Sequence, residues 1–296
     1  MSEQYCDVGR GITLCYETFG DPSNPAALLI MGLGTQMIAW HEDFCAQLAD
    51  RGLHVVRFDN RDIGRSTHVA GRPPTIPQLL LRSTRAARYS LADMAQDSLT
   101  LMRELELSPA HMIGASMGGM IAQILAGTEP QRVASLGIIM STTGKPFSRL
   151  PAWRVIRLAF GGPGDDASDE DKLAFEVRNV AVFNGPNFLP PEAQLRERVR
   201  QLAERSSYPP GMLRQFDAVL GTGSLLAYSK AITAPTVVLH GSRDPMVRPR
   251  NGRGVAAAIP GARFVVVDGM GHDLPQPVWR PIIETLTENF ARARAR

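Results

Sequence analysis

Short apolar runs alternate along the chain with longer amphipathic stretches. The runs predicted as strands cover residues 12–18, 27–31, 54–58, 111–113, 133–140, 236–240 and 264–267. The stretches predicted as helices cover about 37–51, 91–107, 117–127, 249–258 and 277–292, and 67–88 is predicted as a loop rich in proline and arginine. Strands that alternate with helices in this way indicate a mostly parallel sheet with crossover helices on both faces. The sequence therefore predicts an α/β protein.

The alternation stops between about residues 143 and 231. This segment has no clear strand, and it contains two charged helical stretches, 169–182 and 191–205, among glycines and prolines. We expect it to form a helical cap over the edge of the sheet, inserted into a core made of residues 1–142 and 232–296. The alternative is a helical subdomain that takes no part in the chemistry.

A serine lies at the turn between one predicted strand and the helix after it. Residues 111–113 are apolar, the sequence continues as Gly-Ala-Ser-Met-Gly, and an apolar helix follows. Glycines on both sides of Ser116 permit a tight, strained turn, because a Cβ at either position would collide with the strand or the helix. Such a turn exposes the serine Oγ above the sheet, and the Met117 N–H faces the same space. We interpret Ser116 as a nucleophile; the alternative is a chance Gly-x-Ser-x-Gly in a glycine-rich loop.

A candidate acid and a candidate base follow Ser116 at the ends of two later strands. Asp244 comes after the strand at 236–240, and His272 comes after the strand at 264–267. The carboxyl ends of parallel strands lie at one edge of a sheet, where ligands bind. A serine needs a base to take its proton, and a carboxylate fixes the tautomer of a histidine base. The order serine, acid, histidine is that of α/β hydrolases rather than that of trypsin or subtilisin.

Other candidates for the acid and the base fit less well. The other five histidines lie within strands or have no matching context, although His240, four residues before the acid, is a candidate support for it. Asp217 lies in the predicted cap, and Asp268 shares the loop of the base, so both are weaker candidates than Asp244. Asp273 is the remaining competitor.

Attack on a carbonyl also requires donors for the developing oxyanion, and two N–H groups commonly supply them. The Met117 N–H is one candidate. The Leu33 N–H, in the loop after the strand at 27–31, is predicted as the second. Gly32 and Gly34 let that loop approach closely; the alternative is an ordinary turn.

Composition excludes several classes of protein. The chain has 296 residues, of which 44% are hydrophobic and 21% charged, as in a globular protein. No stretch approaches the roughly 20 apolar residues of a membrane span, and the first residues lack the pattern of a secretory signal. Three cysteines without metal-ligand spacing or a disulfide pattern favour a reduced, cytoplasmic protein. A net charge of +3 is too small to indicate nucleic-acid binding.

The assembled motifs resemble those of the α/β-hydrolase superfamily over essentially the full chain. The elbow Gly-Ala-Ser-Met-Gly-Gly, the acid loop Gly-Ser-Arg-Asp-Pro-Met-Val and the histidine loop Gly-Met-Gly-His are similar to motifs of that family. Residues 59–66 resemble its D-x-R-G-x-G-x-S loop, with Asp62 in place of the first glycine, and Met31 stands where a histidine is usual. The resemblance implies a mostly parallel eight-stranded sheet flanked by helices, with a helical cap inserted between strands.

A narrower resemblance concerns residues 30–34 and 57–62, which are similar to a bacterial subgroup of aclacinomycin-type methylesterases and mycobacterial lipase/esterase proteins. It implies a serine hydrolase that cleaves carboxylic esters through an acyl-enzyme, with no metal or organic cofactor. Perhydrolase or haloperoxidase-like activity and C–C bond hydrolysis remain open, because they can use the same triad. A ligand-binding member of the fold without catalysis is the alternative of another class.

The substrate is predicted to be a small hydrophobic ester. Methionines near the elbow and the strand ends indicate an apolar, adaptable pocket; they are Met31, Met37, Met117, Met120 and Met140. The candidate lining residues of this pocket are Gly32, Gly34, Trp153 and Phe183.

Overall fold

One eight-stranded sheet forms the centre of the computed structural model, which describes residues 2–80, 88–144, 162–164, 166–185 and 187–294. The strands are β1 (Gln4–Asp7), β2 (Thr13–Phe19), β3 (Ala26–Ile30), β4 (His54–Phe58), β5 (Ala110–Ala115), β6 (Val133–Ile139), β7 (Thr236–Gly241) and β8 (Arg263–Val267). Their order across the sheet is β1-β2-β4-β3-β5-β6-β7-β8. The pairs β1/β2 and β2/β4 are antiparallel, and all neighbours from β4 to β8 are parallel. The predicted fold class is confirmed.

Helices pack on both faces of this sheet. The helices that pack on it are α1 (Glu42–Ala49), α3 (Leu91–Glu104), α4 (Met117–Thr128), α9 (Pro249–Ala258) and α10 (Trp279–Arg294), and a short helix, α2 (Ile76–Leu80), lies between β4 and α3 in the chain. Along β3, Leu28 and Ile30 belong to the cluster that includes α3 and α4, whereas Ala27 and Leu29 belong to the cluster that includes α1 and α10. A strand buried on both faces has apolar side chains throughout, which explains its continuous apolar sequence.

The described residues between β6 and β7 contain helices and no strand. These helices are α5 (Asp169–Phe183), α6 (Glu192–Arg205), α7 (Pro209–Thr222) and α8 (Leu226–Ala231). Two of them, α5 and α6, match the helical stretches predicted from the sequence. In the part of the chain that the structure describes, no helix has the length and apolar character needed to cross a bilayer.

Four features differ from the sequence-based prediction. The helix expected over 37–51 is a 3-10 turn at Met37–Ala39 followed by α1, because the chain bends at His41, whose side chain accepts from the Asp43 N–H to cap the helix. The segment 67–88 contains the short helix α2. The strand β1 was not predicted, and neither were the helices α7 and α8 between β6 and β7.

The sheet order places the candidate site at one edge. The parallel strands β3, β5, β7 and β8 end on the same side, and each is followed by one of the predicted functional segments. β3 lies directly beside β5, so the loop that begins at Gly32 is a neighbour of Ser116.

Candidate active site

Ser116 occupies a backbone conformation that residues with a side chain rarely adopt. It lies between β5 and α4 with φ +53° and ψ −116°. A Cβ on Gly114 would meet the backbone of Gly118, and a Cβ on Gly118 would meet the carbonyl of Ile30. The Ser116 N–H donates to Ile139 O at 2.9 Å. Close backbone packing on both sides therefore holds the serine in its strained turn.

Ser116, His272 and Asp244 form one hydrogen-bonded chain. Ser116 Oγ lies 3.0 Å from His272 Nε2, and His272 Nδ1 lies 2.7 Å from Asp244 Oδ2. An ionised carboxylate can only accept, so Nδ1 donates to Asp244 and Nε2 accepts from the serine hydroxyl. The structure thus brings together the three side chains that the sequence proposes as nucleophile, base and acid.

Asp244 is buried, and several donors hold it. Its Oδ1 accepts from the N–H groups of Met246 at 2.9 Å and Val247 at 2.8 Å. Desolvation would raise the pKa of Asp244, but the charge of His272 and hydrogen bonds from His240 and His272 outweigh it and lower the pKa to about 2. The carboxylate is therefore ionised at neutral pH, as a group that orients an imidazole requires.

The three competing acids lie elsewhere. Arg198, on α6, donates to both carboxylate oxygens of Asp273 at 3.0 and 3.2 Å. Asp268 accepts from Ser242 Oγ at 2.9 Å, and Asp217 is buried on α7. Among the described residues, none of these carboxylates hydrogen bonds to the predicted base.

The two predicted oxyanion donors lie on either side of the nucleophile. Met117 is the first residue of α4, and the first N–H groups of a helix have no partner within it. A Cβ on Gly32 would lie 3.1 Å from Ser116 Cβ and 3.7 Å from its Oγ, so the loop after β3 runs directly against the serine. The Leu33 N–H makes no hydrogen bond to another described residue. It is therefore available to a ligand.

Two candidate pocket residues, Phe183 and Gly34, can be placed by their contacts. The Phe183 ring centroid lies 6.4 Å from that of His272, and the His272 N–H donates to Phe183 O at 2.7 Å. A Cβ on Gly34 would lie 2.9 Å from Met212 Cγ, so Gly34 lies against the cap helix α7. Trp153 lies outside the described residues.

The methionines near the strand ends occupy the core. Met31 and Met140 belong to one of the two main apolar clusters, and Met117 and Met120 belong to the other. Met37 is also fully buried. Their side chains fill the interior on both faces of the sheet.

The cysteines are unsuited to act as the nucleophile. Desolvation raises the pKa of Cys15 and Cys45 to about 12, and it also raises the pKa of Cys6. Because the thiolate is the reactive form, these buried thiols are unreactive near neutral pH. No three His, Cys, Asp or Glu side chains of the described ranges are grouped so that they could hold a metal ion.

Two contacts from the cap to the site were not predicted. Gln215 Oε1 accepts from the Gly34 N–H at 2.8 Å, and the carbonyl of Phe183 accepts from His272 as described above. Gln215 lies on α7, whose Pro-Pro-Gly start resembles a helix breaker. Proline is nevertheless compatible with the first turn of a helix. The two prolines at the start of α7 are therefore the feature of the sequence that could have identified this helix.

Comparisons with known proteins agree with this architecture. Residues 25–275 match the family described as alpha/beta hydrolase fold. The chain is 27% identical to the rhodomycin D methylesterase DauP of Streptomyces sp. (strain C5), over 92% of each protein. It is 25% identical to the putative non-heme bromoperoxidase BpoC of Mycobacterium tuberculosis (strain H37Rv), over 88% of this chain and 91% of that protein.

A solved structure shares the same fold. The 2-hydroxy-6-oxo-6-phenylhexa-2,4-dienoate hydrolase of Rhodococcus sp. strain RHA1 is similar with a TM-score of 0.77 and 20% identity, over 98% of both chains. The resemblance to the superfamily, and within it to bacterial methylesterases, is confirmed by the sequence matches. The chain belongs to the α/β-hydrolase fold family.

Proposed function

We propose that this protein is a serine hydrolase that cleaves carboxylic esters through an acyl-enzyme. The observation that carries the proposal is the chain of contacts from Asp244 through His272 to Ser116, at 2.7 and 3.0 Å. The wider class of carboxylic ester hydrolase is supported by the similarity to a named methylesterase over 92% of the chain.

In the acylation step, Ser116 Oγ attacks the ester carbonyl while its proton passes to His272 Nε2. The negative charge of Asp244 stabilises the imidazolium that forms. The carbonyl oxygen becomes an oxyanion, which the N–H groups of Leu33 and Met117 stabilise. His272 then returns the proton to the leaving alcohol as the C–O bond breaks.

In the deacylation step, His272 takes a proton from water, which attacks the acyl-enzyme. The same two N–H groups stabilise the second oxyanion. Collapse of this intermediate releases the acid as His272 returns the proton to Ser116 Oγ. The enzyme is thereby restored with no change in its redox state, so these steps need no cofactor.

Replacement of Ser116 tests the proposal. We expect Ser116→Ala to lower kcat for p-nitrophenyl butyrate by at least about 10⁴-fold, because the nucleophile is lost. Ser98→Ala is a matched control, since Ser98 is a buried serine whose hydroxyl donates within its own helix, to Met94 O at 3.1 Å. An unchanged rate in Ser116→Ala would refute the assignment.

Labelling by a fluorophosphonate separates an enzyme from a ligand-binding member of the fold. We expect the probe to label the parent protein and not Ser116→Ala.

The substrate class that we propose is a small hydrophobic ester. The Phe183 ring lies near that of His272, and the exposed side chain of Met212 lies against Gly34 in the loop that carries the Leu33 N–H. A panel of acetyl, butyryl and hexanoyl esters, together with methyl esters, tests this choice. A rate that does not change with the length of the acyl chain would contradict it.

The same triad supports a second reaction, perhydrolysis, in which hydrogen peroxide replaces water as the acyl acceptor. The similarity to a putative bromoperoxidase favours this candidate. Peracid formation from acetate and peroxide, without halide, measures it directly. The likeness to a C–C bond hydrolase is one of fold, and an assay with a vinylogous diketone addresses that reaction.

A further inference from the structure

The side-chain amide of Gln215 links the cap to two loops at the carboxyl edge of the sheet. Its Oε1 accepts from the Gly34 N–H at 2.8 Å, and its Nε2 donates to Arg61 O at 2.8 Å. The side chain is fully buried. Both ends of the amide are paired with groups of the right kind, which also fixes its orientation.

The bond from Gln215 acts on the turn that carries the proposed oxyanion donor. Gly34 has φ +66°, and the Thr35 N–H donates to Gly32 O at 3.4 Å to close the turn. The N–H groups of Leu33 and Gly34 belong to consecutive peptide planes, which only φ and ψ of Leu33 relate. An acceptor that holds the Gly34 N–H toward the cap therefore restricts the direction of the Leu33 N–H.

A buried ion pair fixes the helix that carries Gln215. Arg214 Nε and Nη2 donate to the two carboxylate oxygens of Asp62 at 2.9 and 3.0 Å, and Nη2 also lies 2.8 Å from Tyr208 Oη. Tyr89 Oη donates to Asp62 at 2.8 Å. The D-x-R-G-x-G-x-S motif has glycine at the position of Asp62, where φ is +70°. The carboxylate of Asp62 anchors α7 next to Gln215, the residue that reaches the loop of Leu33 and Gly34.

We infer that Gln215 is a positioning residue for the oxyanion hole, which it orients through the Gly34 N–H. The inference rests on the proposed function and assigns to the cap a part in the catalytic geometry. Positioning is decisive because a donor contributes fully only about 2.7–3.1 Å from the oxyanion. A displacement of about 1 Å costs about 10²-fold in rate.

Replacement of Gln215 by methionine keeps the length of the side chain and removes both hydrogen bonds. We expect Gln215→Met to lower kcat for p-nitrophenyl butyrate about 10- to 100-fold, with KM within about threefold of the parent. The inhibition constant of a trifluoromethyl ketone, whose hemiketal oxyanion occupies the hole, should rise by the same factor.

Gln36→Met is the matched control, because Gln36 lies two residues after Gly34 and also links this loop to the cap, but among the described residues its side chain makes no hydrogen bond to an N–H group of residues 32–35. It is buried, and its Nε2 donates to Leu202 O at 2.7 Å and Ser206 O at 2.9 Å. We expect it to leave kcat and the inhibition constant within about threefold of the parent. An equal loss in both methionine variants, or a loss confined to KM in Gln215→Met, would overturn the inference.

A second variant covers the case in which Gln215→Met does not fold. Gln215→Asn has a shorter side chain that cannot reach Gly34 in the present backbone, and the same results are expected of it.

Full activity in Ser116→Ala would refute the proposed function itself. An inactive Ser116→Ala together with an unaffected Gln215 variant would refute only the positioning role.

Discussion

His240 Nε2 lies 3.2 Å from Asp244 Oδ2, the same oxygen that lies 2.7 Å from His272 Nδ1. His240 Nε2 also lies 2.6 Å from Val247 O. A carbonyl can only accept, so Nε2 carries a proton that it shares between the two oxygens. Two imidazoles therefore hold one oxygen of the acid, and backbone N–H groups hold the other.

We expect His240→Phe to lower kcat about 3- to 10-fold, because Asp244 loses one donor and keeps its backbone donors. The control is His111→Phe, which removes another buried histidine whose Nδ1 lies 2.8 Å from Ser135 Oγ on β6. Steady-state kinetics of both variants measure the difference. A loss as large as that expected for Asp244→Asn, about 10⁴-fold, would mean that His240 does more than support the acid.

Acid should destabilise the protein in part through Asp244. Its pKa in the folded state, about 2, is lower than the ordinary value of 3.8, so the unfolded chain binds more protons between these two values. The stabilisation is complete above about pH 5 and is lost as the pH falls toward 2. Between pH 5 and pH 3 we expect a loss of about 1 kcal/mol from this group.

Urea unfolding at pH 5 and pH 3 tests this contribution. Asp244→Asn should lose about 1 kcal/mol less than the parent over that interval. Asp50→Asn removes an exposed carboxylate at the end of α1 and should follow the curve of the parent. An equal loss in the free energy of unfolding between pH 5 and pH 3 in all three proteins would contradict the prediction.

Glycine at position 62 would match the family motif, yet we expect Asp62→Gly to destabilise the protein. The side chains of Asp62 and Arg214 are 0% and 2% exposed, and removal of one partner of such a pair costs about 3–5 kcal/mol. Relief of the positive φ returns about 1 kcal/mol. The net loss in the free energy of unfolding should be about 2–4 kcal/mol.

A double-mutant cycle separates the ion pair from the backbone effect. The double variant Asp62→Gly/Arg214→Met has no unpaired buried guanidinium, so it should be more stable than Asp62→Gly alone. If the double variant loses as much free energy of unfolding as the two single variants lose together, the pair contributes no coupling energy.

The elbow tolerates no side chain at Gly118. A Cβ added at Gly118 would meet the carbonyls of Ile30 and Met31, so Gly118→Ala should lower both kcat and the melting temperature. Gly254→Ala is the control, because a Cβ there meets nothing within 4 Å, and it should stabilise α9 by about 0.5–1 kcal/mol. Equal melting temperatures in the two variants would contradict the close packing at the elbow.

The central strands β3, β4, β5 and β7 were predictable because every one of their residues is buried, which makes them continuous, mostly apolar runs. The bounds of β4 and α9 agree with the prediction to the residue. The positions of Ser116, Asp244 and His272 were predictable for a related reason, because each residue comes shortly after an apolar strand. β1 has only one buried side chain, Cys6, and such an edge strand leaves no pattern in the sequence.

Hydrophobic periodicity did not identify the helix α7, because its buried face is largely polar. Arg214, Gln215 and Asp217 are all buried, whereas hydrophobic periodicity identifies only apolar faces. The partner of Arg214 lies 152 residues away. A polar contact between such distant segments becomes visible only when both are folded.

The backbone hydrogen bond from the His272 N–H to Phe183 O limits which helical segment can replace the one between β6 and β7 on this core. The end of α5 supplies the carbonyl that receives the His272 N–H, and a Cβ on Gly271 would collide with Phe183 and Gly185. A foreign cap grafted onto this core would have to deliver a carbonyl to the same place, or the histidine loop would lose its support. A change of substrate range in this protein should therefore be sought through side-chain replacements within its own helical segment, and chimaeras should preserve the junction at Phe183.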